Sequence, residues 1–246
     1  FAIIILLNII FILNFKKISS LINLNDEPNE IKTHKNKIPC FGGFIFLLNI
    51  LLFIIFSLLI EYSTNIQFDY SHFFDEDFYS STRACISLIF ISFMLFLLGV
   101  LDDKFKISAN KKLFFQLFLC IFAVLIDENL IINSIKFSNG YEIHLFKLAI
   151  IFTILCFLIF INAFNMFDGI NNQASIYIFI LCGYFLYKVP NLYLIYMIII
   201  ANSLFFYLNS QNKLFLGDNG SLLIGYIFAN LLTKSHNLEK GVFADE

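Results

Sequence analysis

Polar residues in this chain are confined to short islands between apolar stretches, and no other feature constrains its fold as much. Eight stretches read as helical membrane spans, each of which needs roughly 20 mostly apolar residues. They cover about 1–15, 41–60, 84–101, 113–126, 147–164, 174–188, 192–208 and 221–234. Four islands, Lys16 to Cys40, Asp102 to Lys112, Asn162 to Gln173 and Asn209 to Ser221, are each separated from the next by two spans. Two crossings return a chain to the side it left, so all four islands emerge on one face of the bilayer. With 59% hydrophobic and 14% charged residues, against about 25% charged in an average soluble domain, no stretch remains for a soluble module. The expectation is an all-α fold: a polytopic transmembrane helix bundle of about eight spans, forming a single integral membrane domain over 1–246. The first span is short and begins at Phe1 rather than an initiator residue, so the chain is expected to be truncated at its N-terminus.

Charge orients the bundle. The islands hold ten of the sixteen basic residues, among them Lys16, Lys17, Lys104, Lys106, Lys111, Lys112 and Lys213. The loop from Glu61 to Thr82 carries Glu61, Asp69, Asp75, Glu76 and Asp77 with no base. Lys and Arg mark the cytoplasmic side, so the islands are expected to face the cytoplasm. On the outer side, Asn139-Gly140 between short alternating runs predicts a small β-hairpin near 131–144. Cys40, Cys85, Cys120, Cys156 and Cys182 have no CxxC spacing and read as small buried hydrophobes. Gly42-Gly43 at the entrance to the second span permits close approach by another backbone or by a ligand.

The islands also carry the chemistry. Asp102-Asp103, Asp168-Gly169 and Gly217-Asp218-Asn219-Gly220 put carboxylates at span ends beside turns whose backbone N–H groups can bind an anion. Carboxylates and amide oxygens without a paired His or Cys form a hard ligand set suited to Mg2+ or Mn2+. Such an ion offsets the repulsion between clustered carboxylates and a phosphorylated substrate, and nearby lysines hold the remaining phosphate charge. Phosphoryl transfer at a membrane surface is the chemistry these residues support.

The ordered motifs resemble a known family. They are Asp26-x-Pro28 with Lys32-x-His34 and Pro39-x-x-Gly42-Gly43; Leu98-Gly99-x-x-Asp102-Asp103; Asn162-Ala-x-Asn165-Met-x-Asp168-Gly169; and Phe215-x-Gly217-Asp218-x-Gly220-Ser221. In order and spacing they are similar to the polyprenyl-phosphate N-acetylhexosamine-1-phosphate transferases (glycosyltransferase family 4). The resemblance implies transfer of a sugar-1-phosphate from a UDP-sugar to undecaprenyl phosphate, with release of UMP, as the first membrane step of a cell-envelope polysaccharide. It implies catalytic roles for Asp102, Asp103 and Asp168, a metal site at Asp218 and Asn165 holding Mg2+ (or Mn2+), and substrate contacts by Lys32, His34, Lys37, Asn162, Asn171 and Gly217. The implied setting is the bacterial cytoplasmic membrane, with the lipid and the nucleotide sugar as partners, no nucleic acid, and a homodimer left open. Because a phosphate monoester has a second pKa of about 6, the lipid nucleophile is already mostly ionised near neutral pH. Asp102 is therefore expected to orient the lipid phosphate rather than act as a base.

The pattern also departs from that family. Most bacterial members read Asp-Gly-x-Asp-Gly, where this chain has Asp168-Gly169-Ile170-Asn171-Asn172. Asn tolerates the left-handed conformation, so Asn172 can keep the turn. Ile31 stands where an Arg is frequent, and the resemblance implies a C-terminal loop with Arg and a His-rich motif that is not among residues 1–246. The expectation is a C-terminal truncation and no turnover by residues 1–246 alone. An ion-coupled transporter is the rival reading, though its charges belong at mid-membrane. CDP-alcohol phosphotransferases require an Asp-Gly-x-x-Ala-Arg stretch, which is absent here.

Overall fold

The computed structural model describes residues 2–26, 37–64, 82–137, 140–189 and 192–242. Within these, α1 (Ala2–Leu13) and α2 (Phe15–Ile22) form a pair bent by 77°. There follow α3 (Gly42–Thr64), α4 (Thr82–Phe105), α5 (Ala109–Ile126), α6 (Ala149–Phe167), α7 (Gln173–Lys188), α8 (Tyr193–Ser210) and α9 (Gly217–Val242). Each of the eight apolar stretches thus becomes a helix, the first one continuing past a bend into α2. Two strands flank the segment before α3, β1 (Asn25–Asp26) pairing antiparallel with β2 (Ile38–Pro39), where a plain loop was expected. The outer hairpin forms as anticipated: β3 (Ser134–Lys136) pairs with β4 (Glu142–His144), Ile135 opposite Ile143, with Gly140 at φ +79.

The protein is a multi-pass membrane protein, and the sorting of its side chains shows why. Large apolar groups point outward, among them Phe114, Phe118 and Leu125 of α5 and Ile151, Leu155 and Ile159 of α6. A soluble protein would leave far less apolar surface in contact with water. Among the described residues, four helices are long and apolar enough to cross a bilayer, five if the bent pair counts as one span. α7 is only 16 residues long, and α9 stays outside that number for another reason. The innermost helix, α9, is also rich in polar groups, since it need not be compatible with lipid. It packs chiefly on α4, α6 and α3, and Leu222, Leu223, Ile224, Tyr226, Phe228 and Leu231 are all fully buried. In the same core lie Phe41 just before α3, Ile45 and Phe46 of α3, Ile91 and Leu95 of α4, and Phe157, Ile161 and Phe164 of α6.

Buried amides join helices that apolar packing alone would leave free to rotate. Asn8 and Asn49 exchange hydrogen bonds of 2.8 and 3.1 Å between α1 and α3. Asn202 of α8 accepts from Ser175 Oγ of α7 at 2.8 Å and donates to Ser175 O at 2.9 Å. At its far end α9 is tied to the segment around the hairpin: Lys234 pairs with Asp127 at 2.7 Å, His236 Nε2 lies 3.0 Å from Ser134 O, and Asn237 Nδ2 donates to Asn129 O at 2.7 Å.

Candidate active site

All four islands meet at the N-terminus of α9. The first N–H groups of a helix have no partner within it, and here other helices supply them. Asp103 Oδ1 of α4 accepts from Asp218 N at 3.0 Å and its Oδ2 from Asn219 N at 3.0 Å. Asp168 Oδ2, just past α6, accepts from Gly217 N at 3.2 Å. Two carboxylates thus cap a helix to which they are not covalently adjacent, at the end where its dipole favours negative charge. Gly217 turns the chain into α9 at φ +73, and a Cβ there would meet Cys40 O at 2.6 Å and Asp103 Oδ2 at 2.9 Å.

Asn219 is the hub of this junction. Fully buried, it accepts from Gly43 N at 2.8 Å and donates through Nδ2 to Cys40 O at 2.7 Å and to Asp103 Oδ2. The glycines of the motifs are explained by the same contact. A Cβ on Gly43 would lie 2.4 Å from Asn219 Oδ1, and one on Gly99 would lie 2.4 Å from Asn219 Cα. The partner admitted by Gly42-Gly43 is a backbone: Gly42 N donates to Phe215 O at 3.0 Å, and Phe215 N to Pro39 O at 2.8 Å.

Beside the capped helix lies a charged triplet. Lys112 Nζ, in the first turn of α5, stands 2.8 Å from Asp102 Oδ2 and 2.8 Å from Asp218 Oδ2. Asp102 also accepts from Ile107 N at 2.8 Å, which closes the turn between α4 and α5. Burial first, then the facing Asp102 carboxyl, push Asp218 up to about 6 against the pull of Lys112. Burial, followed by repulsion from Asp218 and Asp103, raises Asp168 well above the usual carboxylate range, with the Gly217 hydrogen bond opposing it.

The structure therefore brings Asp102, Asp103, Asp168, Gly217 and Asp218 together. Asn165 lies alongside, its Oδ1 accepting from Ser221 Oγ of α9 at 2.9 Å. Asn162 is turned into the bundle, donating to Gln116 Oε1 of α5 at 2.9 Å and to Leu158 O at 2.8 Å. Asn171 sits on an exposed turn and donates to Asn212 of the α8–α9 connection. Its neighbour Asn172 keeps the left-handed turn at φ +63. Lys37 is exposed next to β2, while Lys32 and His34 lie outside the described residues. Two participants were missed from sequence. Lys112 was counted only as one of the basic residues of its island, and Asn219 only as the variable position between Asp218 and Gly220. An amide flanked by Asp and Gly at a helix start was the available signal.

Among the described residues, no group of three or more His, Cys, Asp or Glu side chains is arranged to hold a metal ion. The donor chemistry nonetheless fits Mg2+ or Mn2+. Asp102 and Asp218 already converge on one cationic atom, Lys112 Nζ, and both offer hard oxygen. Mg2+ commonly uses one or two protein carboxylates and completes its shell with water and substrate phosphate.

Comparison with known proteins points the same way. The family model described as glycosyl transferase family 4 matches residues 85–236. A probable undecaprenyl-phosphate N-acetylglucosaminyl 1-phosphate transferase of Bacillus subtilis is 28% identical over 222 residues, covering 86% of this chain and 55% of the relative. The undecaprenyl-phosphate alpha-N-acetylglucosaminyl 1-phosphate transferase of Yersinia pestis is 29% identical over 233 residues, covering 90% and 58%. A phospho-N-acetylmuramoyl-pentapeptide-transferase of Streptococcus pneumoniae is 27% identical over 228 residues, covering 84% and 63%. The chain thus spans somewhat more than half the length of these relatives.

Proposed function

This chain belongs to glycosyl transferase family 4, and on that premise we propose that the complete protein transfers a sugar-1-phosphate to undecaprenyl phosphate. The donor in this reading is a UDP-sugar, N-acetylhexosamine-1-phosphate is the group moved, and UMP is released. The observation that carries the reading is the convergence of Asp102, Lys112 and Asp218 at the N-terminus of α9, at one end of a membrane bundle. That is where a lipid phosphate and a water-soluble nucleotide can meet.

An oxygen of the lipid phosphate attacks the sugar-linked phosphorus, the bond from that phosphorus to the UMP oxygen breaks, and UMP leaves with the electron pair. The nucleophile is already ionised near neutral pH, since its second pKa is about 6. Asp102 accordingly orients the lipid phosphate, and Lys112 supplies positive charge at the same point. Asp103 and Asp168 hold α9 in place through its N–H groups, which keeps Asp218 facing Asp102. Asn171, on its exposed turn, is available to the nucleotide. Asp218 with Asp102, and the amide oxygen of Asn165 nearby, are the residues that would hold Mg2+, whose chemistry is to screen the diphosphate and stabilise charge on the leaving group. In this reading the site faces the cytoplasm from a bacterial membrane, an orientation that the Lys-rich islands support because Lys and Arg are enriched on that side. Ion-coupled transport is not favoured, because the charged groups of the site gather at a bundle end rather than at mid-membrane.

Membranes containing the complete protein, incubated with several radiolabelled UDP-sugars, should form a labelled lipid that depends on Mg2+ and is blocked by tunicamycin. Failure to form lipid product from any of them would sink the proposal. Loss of activity by Asp102→Asn at about pH 6 with recovery at about pH 9 would instead assign Asp102 as a base.

A further inference from the structure

Two ion pairs join α5 to α9 at opposite ends of the bundle. At the site end Lys112 of α5 meets Asp218 of α9 at 2.8 Å. At the far end the charges are reversed: Asp127, which caps α5, meets Lys234 of α9 at 2.7 Å, each side chain only 2% exposed. At about 1.5 Å per residue, the pairs are separated by about 22 Å along α5 and about 24 Å along α9. Spans so closely matched let both pairs close when the helices run side by side in a single axial register. An axial slip of one residue displaces both pairs by about 1.5 Å and opens them.

Along the rest of their length α5 and α9 are connected mainly through α4 and α6, including the hydrogen bonds of Gln116 and Ser221 to Asn162 and Asn165 of α6. α9 packs chiefly on α4, α6 and α3, while α5 leans on α4 and α6 and turns an apolar face outward. The direct ties from α5 to α9 include these pairs and the short turn Glu128–Leu130 that follows α5, which Asn237 of α9 bonds at Asn129 O. An apolar pair of similar volume would hold the far ends at least as firmly as a desolvated ion pair does. It would not select one register, because apolar contact is non-directional.

We propose that Asp127 and Lys234 are positioning residues that set the axial register of α5 against α9 and thereby fix the Lys112–Asp102–Asp218 contact at the other end of the bundle. The kinetic consequence rests on the transfer reaction proposed above, whereas the geometric claim does not.

The test compares three variants of the complete protein: the apolar double variant Asp127→Leu/Lys234→Met, the swapped pair Asp127→Lys/Lys234→Asp, and Lys234→Arg. Transfer kinetics are measured alongside the pulsed-EPR distance between nitroxides at Lys111 and Lys213, in a background with the native cysteines replaced. Both labelled lysines are exposed at the site end, Lys111 in the first turn of α5 and Lys213 in the connection that leads into α9. The apolar variant is expected to melt no lower than the parent, yet to lose about tenfold to a hundredfold in kcat with KM for the nucleotide sugar little changed. Its distance distribution is expected to broaden. Lys234→Arg, and the swapped pair where it folds, are expected to return both readouts toward the parent. An apolar variant with the parent's kcat and distance distribution overturns the proposal, and so does one that fails to fold, since the pair is then simply structural. If the parent itself shows no transfer, the proposed reaction falls and the distance distributions alone decide the register claim.

Discussion

Substituting Gly99 by Ala separates the geometry of the site from the stability of the fold. A Cβ added at Gly99 would stand 2.4 Å from Asn219 Cα, Asn219 N and Asp218 O, where ordinary contact begins at 3.4 Å. All three are backbone atoms, so no side-chain rotation relieves the clash, and α4 must separate from the start of α9 by about 1 Å. Overpacking of this kind costs about 1–3 kcal/mol, and replacing a helical Gly by Ala returns about 1 kcal/mol. The net destabilisation is therefore about 0–2 kcal/mol. A 1 Å displacement within a catalytic constellation can cost about a hundredfold in rate. The expected result is a folded Gly99→Ala protein with a melting temperature near the parent's and a transfer rate lower by about two orders of magnitude. Gly183→Ala is the control, because nothing lies within 4 Å of its Cβ on α7. It should be neutral or stabilising by up to about 1 kcal/mol, with unchanged rate. A Gly99→Ala protein that turns over at the parental rate would refute the reasoning.

Asn219→Ala strands the Cys40 carbonyl in a buried place, leaves the Gly43 N–H only its 3.3 Å bond to Leu216 O, and takes one of the bonds to Asp103 Oδ2. At about 1–3 kcal/mol for the unpaired carbonyl and about 0.5–1.5 kcal/mol for each of the two lost bonds, a loss of about 2–6 kcal/mol is expected in denaturation of the purified protein, and a loss below about 1 kcal/mol would contradict the hub. Asn172→Val forces a β-branched residue to φ +63 and should cost about 1–2 kcal/mol, whereas Asn172→Gly should cost little; equal melting temperatures for the two would exclude a strained turn. The folded Asp218 carboxyl holds its proton up to about 6 against 3.8 for the free group, so the unfolded chain binds fewer protons between those values. Its contribution to stability falls as pH rises through that window and is fully lost above it. The melting temperature of metal-free parent relative to Asp218→Asn should therefore fall between about pH 4 and about pH 6, and a rise would reverse the assigned shift.

Periodicity and parity made most of the fold legible. Eight apolar stretches became helices, and the Asn139-Gly140 signal located the outer hairpin, because hydrophobic length and turn chemistry are local properties. The bend after Leu13 was not legible, since Asn14 looks like any polar residue at a span end. Nor was the β1–β2 pairing, which closes over a segment of the first island. At the site, the carboxylates were visible because a charge beside an apolar run stands out. Asn219 was not, because what distinguishes it is complete burial against Gly43, Cys40 and Asp103, three contacts each more than a hundred residues away. Gly99 illustrates the middle case: its motif was recognised, while its purpose appeared only when α9 was found pressed against it.

The central position of α9 also bears on the order in which the molecule can be assembled. A helix carrying Asn219, Asn230 and Lys234, all buried against protein, is poorly suited to wait alone in lipid. Its surrounding helices α3, α4 and α6 all precede it in the chain and so leave the ribosome first. The reactive junction then comes into being at the moment α9 enters a sheath that already exists. Defects in that sheath should show themselves in the yield of inserted protein before they show in the kinetics of what survives.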